Sequence, residues 1–200
     1  CISDGIRVPP AIYFKINKVQ TALVMKLHGP SLKELQKKYG GSFSSITICL
    51  LADQIILLLQ HIHDHYYIHR DIKPHNFVIG FKQTSKLYIV DFGLAKCYKK
   101  SENYKAHNKY IMGKKMMGTP VFVSINTHMG IEQSCRDDLE SLGYLLLYLY
   151  LGKLPWQRSH IGDKTIKYNQ IFTEKMALDV KSLCSNLSNT FQRYFKYVYN

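Results

Sequence analysis

The sequence predicts an α+β fold that is mainly helical, with its strands confined to the first half of the chain. Three observations carry that reading. Two short β-rich runs open the chain, a second pair of runs flanks a polar pentapeptide centred on Gln83, and two long segments carry apolar residues at helical spacing or almost continuously. The 200 residues are 46% apolar and 20% charged, which suits a packed core and excludes a disordered or collagen-like chain.

In chain order, residues 11–17 and 21–27 are β-rich and separated by polar Lys18 and Gln20, the pattern of a hairpin. His28-Gly29-Pro30-Ser31 breaks the strand, and Ser31 caps a short helix predicted from Leu32 to about Tyr39, before Gly40-Gly41. From Ser45 to about His65, Ile48, Leu51, Ile55, Leu58, Leu59 and Ile62 recur every three or four residues, and Leu50, Ile56 and Leu57 widen the stripe. A deeply buried helix is expected there. Residues 76–80 and 86–91 form a second hairpin around Phe81-Lys82-Gln83-Thr84-Ser85. Residues 97–117 are lysine-rich and aperiodic, a long surface loop of the functional kind. Residues 137–151 read as a central helix buried all round, and residues 183–200 as a more amphipathic one.

Charge and cysteine content narrow the setting. With 27 Lys and Arg against 14 Asp and Glu the formal charge is +13, a field that attracts phosphate, acidic peptide, nucleic acid or an anionic surface. The five cysteines are scattered with no C-x-x-C pair, which argues against a disulfide framework or zinc site and for a reducing compartment. No apolar run approaches the roughly 20 residues of a bilayer span, so none is expected. Asn186-Leu187-Ser188 matches the glycosylation triplet by chance recurrence of a short pattern. The chain starts at Cys1 with no signal-peptide pattern and reads as the interior of a longer protein.

The chemistry concentrates in His69-Arg70-Asp71-Ile72-Lys73-Pro74-His75-Asn76 and Asp91-Phe92-Gly93. A hairpin turning near Gln83 sets Asn76 and Asp91 opposite each other at its open end, where two hard oxygen ligands suit Mg²⁺ shared with nucleotide phosphates. Asp71 falls on the same loop within reach of an incoming hydroxyl, and Lys73 brings a cation toward a transferring phosphoryl group.

These segments resemble the catalytic loop and metal motif of the eukaryotic protein kinases. The resemblance narrows to the casein kinase one family through Leu27-His28-Gly29-Pro30-Ser31-Leu32, Leu94-Ala95-Lys96, Ser124-Ile125-Asn126, Gly130-Ile131-Glu132-Gln133-Ser134, the run from Arg136 to Tyr144, and Leu154-Pro155-Trp156-Gln157. It covers the chain from about Gly5 onward. It implies a protein-kinase-like fold in which residues 1–27 are the remnant of a β-rich small lobe with its hinge, and residues 28–200 a mainly helical large lobe cut before its last helices. It implies ATP and Mg²⁺ as cofactors and acidic or already phosphorylated protein substrates as partners. The implied address is cytoplasmic, extending to the nucleus.

By that resemblance Asp71 is the catalytic base, Lys73 the γ-phosphate contact that favours Ser/Thr over Tyr, and Asn76 and Asp91 the metal ligands. Met25 corresponds to the gatekeeper, Lys26 to Gly29 to the hinge with the Leu27 backbone on the adenine, Val78 to the floor beneath it, and Ser31 and Glu34 to ribose neighbours. Thr119 ties the activation segment to the catalytic loop, and Asp138 is a buried carboxylate accepting bonds from the loop backbone. Arg70, Lys96, Lys114 and Lys167 match basic positions of the substrate pocket, where an arginine fork takes phosphate oxygens bidentately. Pro120-Val121 stands where the family usually places Ala-Arg, with Arg158 as a partial replacement, and Ser124-Ile125-Asn126 replaces the usual A-P-E triplet. Constitutive activity is expected of the full-length form.

No Gly-rich loop, strand lysine or partner glutamate precedes Ala11. Two readings follow: an excerpt of an active kinase, favoured because Asp71, Lys73, Asn76 and Asp91 are all retained, or a non-catalytic pseudokinase acting as a scaffold. These 200 residues alone are expected to show little activity. A metal site at His61, His63, His65 and His69 lacks a spaced carboxylate, and nucleic acid is disfavoured because Tyr98, Tyr104 and Tyr110 form no recognised RNA module.

Overall fold

A computed structural model describes residues 8–16, 21–99, 109–157, 164–184 and 188–199. Strands β1 (Ala11–Ile16) and β2 (Thr21–Met25) pair antiparallel as a separate ribbon, Phe14 opposite Leu23. Strand β3 (His28–Ser31) runs into helix α1 (Leu32–Lys38), and Ser31 and Glu34 close a reciprocal capping box at the junction. Helix α2 (Ser45–Asp64) starts at Ser44, whose hydroxyl accepts from the Thr47 amide at 3.3 Å. Strand β4 (Tyr67–Ile68) then leads to the loop of residues 69–76.

The second predicted hairpin is present as β5 (Phe77–Gly80) and β6 (Leu87–Ile89), with Phe77 opposite Ile89. Together with β3 it makes a three-stranded antiparallel sheet in the order β3-β5-β6. Strand β7 (Lys96–Cys97) pairs with β4 and so ties the segment after Asp91 back to the loop before Asp71. Of the loop expected over residues 97–117, Cys97 belongs to β7, residues 100–108 lie outside the described residues, and residues 109–117 carry no helix or strand.

Among the described residues five α-helices follow β7: α3 (Ile125–His128), α4 (Cys135–Leu151), α5 (Lys164–Ala177), α6 (Val180–Leu183) and α7 (Asn189–Tyr199). The core lies where α2 packs on α4: Ile55, Leu59 and Ile62 meet a helix in which Leu142, Leu145, Leu147 and Leu149 are all fully buried. Each such side chain contributes roughly 1.5–3 kcal/mol. Helix α7 approaches α4 closely at Gly143, where a Cβ would stand 2.7 Å from the Phe195 ring. A larger residue there would force the Phe195 and Tyr194 rings to shift.

Four expectations need correction. Only one face of α2 is buried: Ile46, Leu50, Ile56 and Leu57 are exposed, because the elements packed on the helix, chiefly α4, β4 and β6, leave that side uncovered. By length and composition α2 is also apolar enough to cross a bilayer, contrary to the reading of the sequence, although here it packs as a core helix. Helix α4 begins at Cys135, two residues early, because Ser134 and Asp137 form its capping box. The helix expected over residues 183–200 is instead α6 and α7, and α5 was not anticipated, since its buried face carries Lys175 beside Ile171. The turn between β1 and β2 lies outside the described residues.

Candidate active site

Asp71 sits at the centre of the loop that follows β4, 6% exposed, with both carboxylate oxygens engaged. Lys73 Nζ donates to Oδ2 at 2.5 Å and Thr119 Oγ1 donates to Oδ1 at 2.7 Å. Asn76 Nδ2 donates to the Asp71 carbonyl at 2.8 Å and, more loosely, to Oδ2 at 3.4 Å. The expected contact of Thr119 with the loop is therefore present.

The loop is anchored from beneath by Asp138 on α4. Its carboxylate accepts the amides of His69 at 2.7 Å and Arg70 at 2.9 Å, and the His63 ring lies 3.0 Å away. Burial alone would push the His63 pKa down, but the hydrogen bonds of Asp138 and Cys135 raise it to about 9. Arg70 adopts a left-handed φ of 68° between these contacts, and its Nε donates to the Leu94 carbonyl at 2.5 Å. Gly118 lies against the same turn: a Cβ there would stand 2.5 Å from the Arg70 carbonyl oxygen.

His69 couples Asp71 to Asp91. The Asp71 amide donates to His69 Nδ1 at 3.3 Å, which assigns the proton to Nε2, and Nε2 donates to the Val90 carbonyl at 3.2 Å. Burial holds the His69 pKa below its ordinary value, keeping the ring in this neutral role. The Val90 amide donates to the Asn76 carbonyl at 2.9 Å, so Asn76 and Asp91 stand at the open end of the β5–β6 hairpin as the spacing predicts. Asp91 is left-handed at φ 66°, accepts from the Gly93 amide at 3.3 Å, and faces a cavity of about 990 Å³.

That cavity gathers Met25, Lys26, Leu27, Val78 and Asp91, with Phe14, Leu23 and Val24 from the ribbon forming an apolar wall. Ser31 and Glu34 are not among its lining. The Ser31 amide and hydroxyl both donate to Glu34 Oε2, at 2.7 and 2.8 Å, and these bonds hold the Glu34 pKa below its ordinary value. Cap formation occupies the two groups expected beside a ribose.

A second cavity, about 260 Å³, brings together Arg70, Lys96 and Lys114 with Lys115, Gln133 and Glu132. Glu132 accepts from Lys96 at 2.8 Å and lies 3.6 Å from Lys114. Burial would raise its pKa, yet the two lysines hold it below the ordinary range. Four cations against one carboxylate leave the pocket basic. Lys167, on α5, is not among the lining residues, and Arg158 lies outside the described residues. Sequence reasoning missed Lys115 and Glu132; the latter was visible only inside the run Gly130 to Ser134.

The rings of His61 and His65 lie tilted to each other with centroids 4.2 Å apart, and among the described residues no group of three or more His, Cys, Asp or Glu side chains is placed to hold a metal ion by itself. The protein kinase domain family model matches residues 11–197.

Proposed function

The chain belongs to the protein kinase domain family, and from that premise we propose that it is a Ser/Thr kinase of the casein kinase one type, acting on acidic or phosphorylated proteins. The observation that carries this reading is the convergence on Asp71 of Lys73, Asn76 and Thr119, coupled through His69 and Val90 to Asp91. A buried carboxylate with a fixed orientation is what a base accepting a hydroxyl proton requires.

The donor set fits Mg²⁺ and ATP. Asn76 turns its nitrogen toward Asp71, which leaves its carboxamide oxygen as a ligand, and Asp91 presents a carboxylate to the large cavity. When bound, ATP supplies the phosphoryl group and Mg²⁺ offsets its charge. Asp71 orients the substrate hydroxyl and takes its proton, Lys73 neutralises charge beside it, and Thr119 keeps the carboxylate from rotating. Met25, Lys26, Leu27 and Val78 enclose the base, in a cavity between residues 1–27 as the end of a small lobe and residues 28–200 as a large one. Arg70, Lys96, Lys114 and Lys115 receive an acidic or phosphorylated side chain near the target hydroxyl, with Lys167 and Arg158 as outlying basic positions. The proposed address is cytoplasmic and nuclear.

The test is transfer of labelled γ-phosphate from Mg·ATP to an acidic serine peptide by a form that joins these residues to a Gly-rich loop and strand lysine. Asp71→Asn should lower the rate by about 10²–10⁴-fold while circular dichroism stays unchanged. Unchanged activity in Asp71→Asn would remove the assignment, and nucleotide binding without transfer by a form that also carries the Gly-rich loop and strand lysine would favour the scaffold reading.

A further inference from the structure

Among the described residues Lys175 is the buried lysine side chain that the proposed chemistry leaves unused. It sits on α5, 3% exposed, and its Nζ donates to the carbonyls of Val123 at 2.6 Å and Pro120 at 3.1 Å. The ring of His128, on α3, lies 3.3 Å away and itself donates from Nε2 to the Pro120 carbonyl at 3.1 Å. The Tyr144 ring, on α4, and the Trp156 ring close the site at 4.7 and 5.2 Å from Nζ. Among the described residues no carboxylate oxygen comes within salt-bridge distance of Nζ. Glu140, on α4, is the acidic group that faces this region, and it is occupied by the Ile125 amide and the Tyr144 hydroxyl.

The two carbonyls belong to the turn that carries Thr119. Its neighbours are held the same way: Gln133 donates to the Met117 carbonyl at 3.0 Å and Trp156 Nε1 to the Val121 carbonyl at 2.9 Å. Side chains from several elements thus grip one backbone segment whose purpose, in the reading above, is to set Thr119 against Asp71. Two N–H donors on two carbonyls match the donor count of an uncharged amine. Ring faces favour a cation, but loss of water around an unpaired ion outweighs them.

We infer that Lys175 is a positioning residue that works as a neutral amine, so that docking of residues 117–123 releases a proton and tightens as pH rises above neutrality. Its effect on phosphotransfer rests on the proposed function; the docking itself does not. Burial draws the Lys175 pKa from 10.5 down to about 7. An undocked, solvated lysine stays protonated to far higher pH, so alkaline conditions favour the docked form. His128, whose pKa burial draws down, stays uncharged throughout.

Amide hydrogen exchange on the full chain, corrected for intrinsic rates, tests this. Protection of the Phe122 and Val123 amides, which donate to the Thr119 carbonyl, should rise on the order of tenfold or more between pH 6 and 8.5. Lys175→Met should abolish the part of that dependence that belongs to Lys175; a share from Glu140 would persist in the variant, so the difference between the two proteins is the quantity read. A pH-independent segment in the unaltered protein, or an equal slope in Lys175→Met, would overturn the inference. Should the variant fail to fold, titration of the lysine ε-methylene resonances decides: a Lys175 midpoint near 7 supports the neutral amine, and one above about 9.5 refutes it.

Discussion

Thr119 contributes a single hydroxyl, yet its position on Asp71 Oδ1 decides how freely the carboxylate turns. Thr119→Val keeps the β-branched shape and removes only the donor at 2.7 Å. One hydrogen bond to a charged group is worth about 1.5–3 kcal/mol, so a transition-state role predicts a loss of roughly 10–100-fold in kcat with little change in KM for ATP. Steady-state kinetics on both substrates separates that from a general loss of fold. His63 gives a residue-scale prediction of opposite kind. Its folded pKa of about 9 lies above the unfolded 6.5, so its stabilising pairing with Asp138 is complete below pH 6.5 and is lost as pH rises through 9. Lys175 acts with the reverse sign from about pH 7 upward, so the quantity to measure is the stability of the unaltered protein minus that of His63→Gln. Denaturant titrations should show the difference shrinking between pH 6.5 and 9, by up to about 3 kcal/mol. A constant difference would mean that Asp138 does not hold the proton there.

At the scale of elements, the β3–α1 junction shows local backbone chemistry overriding a ligand role. Ser31 and Glu34 satisfy each other and the first turn of α1. Ser31→Ala should therefore cost about 0.5–2 kcal/mol in chemical denaturation and leave the KM for ATP unchanged; a raised KM with unchanged stability would return Ser31 to the nucleotide. The same junction marks the boundary of what the sequence reveals. The hairpin of β5 and β6 was legible because its runs are short, β-rich and separated by a polar turn, and Asp71, Asn76 and Asp91 were legible because linear spacing alone puts them at its open end. S-x-x-E was ambiguous, since one pair of side chains serves either a cap or a ligand and only the fold chooses. Helix α5 was hidden because its buried face includes a lysine, which no apolar period marks. Arg70, Lys96 and Lys114 meet in one pocket while Lys167 does not, and that difference depends on where α5 packs.

Over the whole molecule, stability is distributed unevenly, and the large cavity lies where it changes. The α2–α4 core buries apolar side chains completely, whereas every residue of β1 is exposed and Leu23 and Val24 of β2 are exposed as well. A two-stranded ribbon with so little covered surface is marginal by itself. Its amides should open with a free energy near zero while those of residues 55–62 and 142–149 exchange only through global unfolding, a contrast of several orders of magnitude in rate. Phe14, Leu23 and Val24 also form one wall of the cavity that Asp91 and Val78 close from the other side. A ligand held there touches both regions, so its binding energy must appear as protection of the ribbon. At 100 times Kd the gain is about 2.7 kcal/mol, which slows exchange of residues 11–16 and 21–25 by about 100-fold if the bound form requires the closed ribbon. Exchange measured with and without saturating Mg²⁺ and a non-hydrolysable ATP analogue gives the answer independently of catalysis. Slowing confined to the ribbon and to residues near Val78 and Asp91 is the expected result. Nucleotide that leaves the ribbon unprotected would mean that this cavity is not where the triphosphate binds, whatever the carboxylates of residues 71 and 91 do.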